Sequence, residues 1–380
     1  MNVLFVTNNI SVPGNGICSS VNTTAANLRK KGVDVQFLSG LSSDPNAPVP
    51  MFALEKFHFP IFQPIIDANG FSYARLTGKT IREAIEWADI LHVSEPLFLQ
   101  EKAIRLAEKA GKPIVGTFHL YTQNILNEIP GASWGWTNDV LMKMWKKAIF
   151  DHCAAVQCPT EVVRRLLEKY AFKSRLVVIS NGTDIASERV VAQKPQTDPY
   201  IILNIGRYAN VKSQMTLLEA MKYSRHSTEI QIVLAGTGVN YRKLEKEGER
   251  LVSRGVLKYK PELGFKDKEQ IKAVAGKAYL YVHCAKLEVE GLGCIEAVRE
   301  GCVPLIGSGE YIGTTDFALD DRSVYPGGDA KALAEKIDWW IEHPEEREDA
   351  GQRYADFSRK FAIGKSIDSL IEMYRSVLDR

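Results

Sequence analysis

The stretch LEVEGLGCIEAVREGCVPLIG, residues 287–307, sets two acids, Glu288 and Glu296, on either side of a glycine pair and an apolar run. A buried strand-to-helix turn has no use for such charges. If a helix begins near Gly291 and Leu292, its first amide hydrogens lack intrahelical acceptors and favour a phosphate. Glu296 then falls in the second turn, too deep to complement the helix dipole, and a carboxylate accepting two hydroxyl protons there suits a ribose. A second constellation, NIGRYANVKSQ (204–214), brings Gly206, Arg207 and Lys212 into one short loop after a strand. A guanidinium fork and a mobile ammonium are what a departing diphosphate needs; a pair of solvated surface charges is the plainer alternative. In a third, NNISVPGNGICSS (8–20), Gly14 and Gly16 would let backbone amides approach an anionic or polyhydroxyl ligand, or simply make a turn. Because position 19 is Ser, the spacing is not G-x-G-x-x-G, which excludes a dinucleotide oxidoreductase fingerprint in this loop.

These loops need strands to carry them. NVLFVT (2–7), VDVQFLS (33–39), ADILHVS (88–94), KPIVGTFH (112–119), CAAVQCP (153–159) and RLVVISNG (175–182) are short apolar runs separated by helix-period segments. That alternation predicts a parallel sheet covered on both faces. Texture changes over residues 186–198, polar and proline-bearing, and reads as a linker. The alternation then resumes with YIILNIG, EIQIVLAGTG, AYLYVHC and CVPLIG. The expected architecture is α/β: two Rossmann-like domains, 1–185 and 199–360, facing each other across a cleft. The last helix, within 361–380, carries Ile367, Leu370, Ile371, Tyr374 and Leu378 on one face and must lie on something apolar. Ligands of such sheets sit at the carboxyl ends of the strands, where strand order reverses.

Composition narrows the classes. With 48 basic and 46 acidic residues the net charge is +2, too even for a nucleic-acid footprint. The start MNVLFVTNN lacks the regions of a secretory signal, and no apolar run reaches membrane-spanning length, so a cytoplasmic protein is expected. Six cysteines without a C-x-x-C pair suggest buried, reduced thiols rather than zinc ligands. In WGWTNDVLMKMWKKAIF (134–150), Trp136, Met144 and Trp145 mix with Lys143, Lys146 and Lys147. Residues 136–149 therefore read either as a helix with its apolar stripe in the core or as a peripheral contact with the inner face of a membrane.

The pattern Glu288-x7-Glu296 resembles the E-x7-E signature of the family-4 retaining glycosyltransferases, proteins of the GT-B fold. Further segments agree in order: PGNG (13–16), PIVGTFH ending in His119, ISNGTD (179–184), GRYANVK (206–212), LAGTG (234–238) and HPEEREDAGQRYADF (343–357). The resemblance implies that Arg207 and Lys212 hold the donor diphosphate and that Glu296 binds the ribose, beside the helix start at Gly291 and Leu292. It implies that Glu288 faces the donor sugar, that the Gly14–Gly16 loop closes over it, and that His119 reaches it near the reacting carbon. The implied activity is transfer of a sugar, with retention, from a nucleotide-diphosphate sugar to an acceptor hydroxyl, saccharide or lipid-linked. The donor would be a UDP-sugar before a GDP-sugar, the process cell-envelope polysaccharide, glycolipid or glycoconjugate synthesis, with no metal and no cofactor. The final helix would cross back to the first domain. Departures are Cys284-Ala285 where the family has Pro-Ser, Ser213 where it has Gly, and Glu290 where it has an apolar residue. A nucleotide-sugar epimerase and a non-catalytic nucleotide-sugar-binding subunit are the alternatives on the same fold.

Overall fold

The computed structural model describes residues 1–8, 10, 16–41, 51–58, 63, 73–126, 135–184, 194 and 198–379. The chain divides into two compact units, Met1–Asn181 with Ile363–Arg380, and Gly182–Ala362. The first stretch thus ends at Asn181, where the sequence suggests 185, and the chain rejoins that unit at Ile363, where it suggests 361. Most of the segment expected as a linker lies outside the described residues. Lys194 within it is buried in the second unit, its ammonium donating to the carbonyls of Ala275 and Gly276 at 2.6 and 2.9 Å.

The strands of the first unit are β1 (Asn2–Val6), β2 (Asp34–Gly40), β3 (Phe52–Leu54), β4 (Lys56–Phe57), β5 (Tyr73–Ala74), β6 (Ile90–Val93), β7 (Ile114–Thr117), β8 (Ala155–Cys158) and β9 (Arg175–Val178). Seven form one parallel sheet in the order β3-β2-β1-β6-β7-β8-β9, while β4 and β5 pair antiparallel apart from it. Burial on both faces explains why β1 after Asn2, and β6 apart from His92, read as apolar rather than alternating. The helices Gly16–Lys30 and Ile363–Leu378 share one apolar cluster with this sheet, in which Val21, Ala25 and Leu28 join Ile367, Leu370 and Tyr374 around Val3 and Phe5. Tyr374 also reaches a polar chain. Its hydroxyl lies 2.6 Å from Nδ1 of buried His92, whose Nε2 is 2.7 Å from Thr117 Oγ1, and Thr117 donates onward to Gln157 at 2.7 Å. Since Thr117 spends its proton on Gln157, its oxygen accepts from His92 Nε2–H and Tyr374 donates to Nδ1. Burial pushes His92 down to about 3, and this neutral tautomer satisfies every member.

The second unit carries β10 (Tyr200–Ile205), β11 (Ile230–Ala235), β12 (Glu262–Gly264), β13 (Leu280–His283), β14 (Val303–Ser308) and β15 (Val324–Pro326). They make a six-stranded parallel sheet, order β12-β11-β10-β13-β14-β15, so the winding reverses between β10 and β13. Its core is aromatic and aliphatic, with Tyr208, Tyr279, Tyr281, Tyr325 and Trp340 almost wholly buried. Buried Arg347 ties the helix Pro344–Ser358 to the sheet by donating to the carbonyls of Tyr279 and Gly301 at 3.1 and 2.6 Å. The turns after β10 and β11 touch backbone to backbone. A Cβ on Gly236 would sit 2.0 Å from the Gly206 carbonyl oxygen, so only glycine fits there. All six cysteines of the chain are buried, and none is in a disulfide.

Candidate functional site

The reversal between β10 and β13 leaves a crevice at the carboxyl ends of those two strands, the usual ligand position in an open α/β sheet. Arg207 follows β10 and is exposed; Lys212 ends a short 3-10 turn, Asn210–Lys212, in the same loop. Glu288 follows β13. Four of the residues singled out from the sequence therefore flank one switch point: Arg207, Lys212, Glu288 and Gly291. Among the described residues the Arg207 guanidinium has no ion-pair partner, whereas the Lys212 ammonium is paired with Glu288, the two side chains being 21% and 20% exposed. Burial acts to raise the Glu288 carboxyl, but the charge of Lys212, with His283 and Arg207 behind it, holds it below the ordinary value. The carboxylate is ionised.

The helix Leu292–Arg299 starts after Gly291, whose φ of +90° is left-handed. A side chain there would also collide with Thr314, with Oγ1 2.4 Å from an added Cβ. The Cys294 amide donates to the Gly291 carbonyl at 2.8 Å, while the amides of Leu292 and Gly293, at the helix start beside the switch point, have no acceptor among the described residues. Leu292 turns its side chain toward the core and offers the site only its backbone. Glu296 lies in the second turn, partly buried, and its carboxylate has no hydrogen bond or ion pair among the described residues. Burial raises its pKa, against the opposing pull of Arg299 and Lys268. An ionisable acid without a partner is available for hydroxyl donors.

One functional-looking residue escaped the sequence reading. His283, the last residue of β13, is buried, with Nδ1 3.2 Å from Tyr281 Oη and Nε2 3.1 Å from Thr314 Oγ1. Its Nε2 is also 3.7 Å from Glu288 Oε2. Thr314 in turn donates to the Glu290 carbonyl at 3.0 Å. Burial pushes His283 down to about 4. A histidine closing an apolar strand was the available signal; Thr314 gave none, because its contacts join segments distant in sequence. Glu290, one of the departures noted above, is buried rather than turned to solvent. Ser213, another, has φ +48°, the left-handed conformation that the family's glycine adopts freely.

In the first unit, Gly14 lies outside the described residues. Gly16 is exposed at the start of its helix, and an added Cβ would meet nothing within 4 Å, so crowding within the protein does not require glycine there. His119 follows β7, partly exposed and without a hydrogen-bond partner among the described residues; burial lowers it to about 4, so it is neutral at pH 7. The switch point of this sheet, between β1 and β6, is held by a residue the sequence reading also missed. Buried Glu95 accepts from Thr7 Oγ1 at 3.1 Å, from the Asn8 amide at 2.9 Å and from Gln100 Nε2 at 2.6 Å. Burial outweighs these donors and raises Glu95 to about 7. The helix Trp136–Ala148 buries Asn138, Met142 and Trp145 and leaves Trp136, Val140 and Met144 exposed on one side. Lys146 is tied to Asp151 at 2.5 Å, so of the three lysines only Lys143 and Lys147 point into solvent. Among the described residues no helix is long and apolar enough to cross a membrane.

Known proteins match this arrangement along nearly the whole chain. Residues 14–187 match the family Glycosyltransferase Family 4, and residues 187–356 match Glycosyl transferases group 1. The D-rhamnosyltransferase WbpZ of Pseudomonas aeruginosa is 24% identical over 336 residues, 84% of this chain and 81% of that one. Alpha-monoglucosyldiacylglycerol synthase of Streptococcus pneumoniae is 22% identical over 317 residues, 77% and 68% of the two chains. Among solved structures, Anabaena Alr3699/HepE in complex with UDP and glucose superposes with a TM-score of 0.69 at 17% identity, covering 99% of this chain and all of the other. With two parallel α/β sheets and these relatives, the chain is a glycosyltransferase of the GT-B fold. Each half of the chain matches the model of one glycosyltransferase family.

Proposed function

We propose that the chain moves a sugar from a nucleotide-diphosphate sugar to an acceptor hydroxyl, with retention of anomeric configuration and without a metal. The bond from C1 to the diphosphate oxygen breaks and its electron pair leaves with the phosphate. The acceptor oxygen bonds to C1 on the same face, and its proton passes to the departing phosphate. The barrier then falls chiefly by countering charge on the leaving group. Arg207 supplies the fork, the first amides after Gly291 supply aligned donors, and Lys212 exchanges Glu288 for the phosphates. Glu296 accepts the ribose hydroxyl protons. Glu288 faces the sugar. The observation that carries this reading is that, among the described residues, the Arg207 guanidinium after β10 has no ion-pair partner and the Glu296 carboxylate, one turn into the helix after β13, has none either.

A UDP-sugar is the preferred donor, in line with the UDP held by Alr3699/HepE. A role in cell-envelope polysaccharide, glycolipid or glycoconjugate synthesis is in line with the lipid named in the Streptococcus relative. Thermal-shift screening of UDP, GDP and their sugars tests the proposal. A ligand at a hundred times its Kd stabilises by about 2.7 kcal/mol, and absence of any shift refutes the site. Release of a free epimerised sugar would instead support the epimerase reading, and binding without turnover the non-catalytic one. Peripheral contact with a membrane is supported by the exposed row Trp136, Val140 and Met144 flanked by Lys143 and Lys147. Co-sedimentation with anionic vesicles should fall when Trp136 and Met144 become Ser; equal co-sedimentation rejects the contact.

A further inference from the structure

His283 stands beneath Glu288 in a position that no part of the proposed reaction uses. Its tautomer follows from the bonds around it. Thr314 spends its proton on the Glu290 carbonyl, 3.0 Å away, so the Thr314 oxygen accepts from His283 Nε2–H at 3.1 Å. The Tyr281 hydroxyl then donates to Nδ1 at 3.2 Å. The same Nε2–H edge faces Glu288 Oε2 at 3.7 Å, beyond hydrogen-bond reach while Lys212 holds that carboxylate. The Glu288 backbone is fixed as well, its amide donating to the Tyr311 carbonyl at 2.9 Å and its carbonyl accepting from Gly313 at 2.7 Å. Only the side chain is left to move.

We propose that His283 is a positioning residue that takes over Glu288 when a diphosphate draws Lys212 away. This rests on the donor-site reading above, in which Lys212 serves the phosphates. A largely buried carboxylate that loses the Lys212 ammonium is costly to leave unpaired, and the His283 Nε2–H lies beside it, oriented by Tyr281 and able to turn from the Thr314 oxygen to Glu288. A shift of under about 1 Å along that line brings the neutral imidazole N–H from 3.7 Å into hydrogen-bond reach of the carboxylate. Thr314 contacts both this imidazole and the space beside Gly291, so one segment, Gly313–Phe317, sets Glu288 and the start of the helix together. The acid facing the sugar is thereby held at a fixed distance from the amides facing the phosphates.

The test uses the full chain labelled with 15N-histidine and titrated with UDP and with GDP, followed by donor hydrolysis without acceptor, read as nucleotide release from UDP-glucose and GDP-mannose. The free protein should show His283 as the neutral Nε2–H tautomer, with that proton moving downfield when the nucleotide binds. His283→Leu should lower kcat about tenfold to a hundredfold, the cost of a misplaced group, with donor KM changed less than about threefold, and His283→Gln, whose amide reaches the Nε2 position, should recover most of it. Nucleotide binding with an unmoved His283 proton, or a His283→Leu enzyme as fast as the parent, overturns the inference. Equal loss in both variants together with loss of nucleotide binding overturns it too, by reducing His283 to a packing residue. A parent protein that binds neither nucleotide fails at the earlier step and refutes the donor site itself.

Discussion

Glu95→Gln is a sharp test of how the first unit is built. The Glu95 carboxyl is buried at the switch point between β1 and β6 and is raised from 4.5 to about 7, burial outweighing its donors Thr7, Asn8 and Gln100. A group whose folded pKa lies above its unfolded one contributes stability that is fully present below about 4.5 and is lost as pH climbs through 7. At about 1.4 kcal/mol per pH unit, the loss across that window is about 3 kcal/mol. Glutamine keeps the geometry without the titration. Its carbonyl can accept from the Asn8 amide and Gln100, and its NH2 can donate to a Thr7 hydroxyl that rotates to receive it. The variant should therefore match the parent near pH 4.5 and exceed it by about 3 kcal/mol near pH 8. Hydrogen exchange of β1 and β6 peptides in both proteins, compared at equal pH, reads this unit alone, and every unchanged titrating group cancels. A stability difference that stays the same from pH 4.5 to 8 would refute the claim that the fold keeps an uncompensated carboxylate at this point.

Three further outcomes are expected. Tyr374→Phe strips the donor from buried His92 Nδ1 and should destabilise the first unit by about 1–3 kcal/mol, seen as faster exchange in β6; an unchanged rate would show that the final helix is held by apolar contacts alone. Ser213→Gly relieves a left-handed non-glycine residue at φ +48° and should raise the stability of the second unit by about 1 kcal/mol in urea unfolding. Arg207→Ala should cost about a hundredfold in kcat for donor hydrolysis, the scale for losing one leaving-group donor, with the unfolding midpoint unchanged because the side chain is exposed and has no ion-pair partner among the described residues.

The alternation of strands and helices was legible because the central parallel strands are buried on both faces and read as apolar runs. The short strands were not. β3, β4, β5, β12 and β15 hold two or three residues each, too few to express a period, and their pairing is imposed by neighbours distant in sequence. Arg207, Lys212, Glu288 and Gly291 could be placed together from motif order and the switch-point rule. That Lys212 is held by Glu288, that Arg207 has no ion-pair partner among the described residues, and that His283 and Thr314 lie behind them depends on side-chain geometry that spacing does not encode. The helix at 136–148 was ambiguous because its apolar residues lie on two sides, Met142 and Trp145 buried and Trp136 and Met144 exposed. Glu95 was overlooked for a different reason: an acid after a strand looks like an ordinary loop charge until its three donors are seen converging on it.

The central claim is that the second unit grips a diphosphate with Arg207, Lys212 and the amides after Gly291 while Glu296 takes the pentose. A crystal structure of the chain with UDP, or with GDP should that bind better, is the direct measurement. It should show Lys212 released from Glu288 onto the phosphates beside Arg207, and Glu296 within hydrogen-bond distance of two ribose hydroxyls. A nucleotide bound elsewhere, or Lys212 still paired to Glu288 with the phosphates seated, would contradict it.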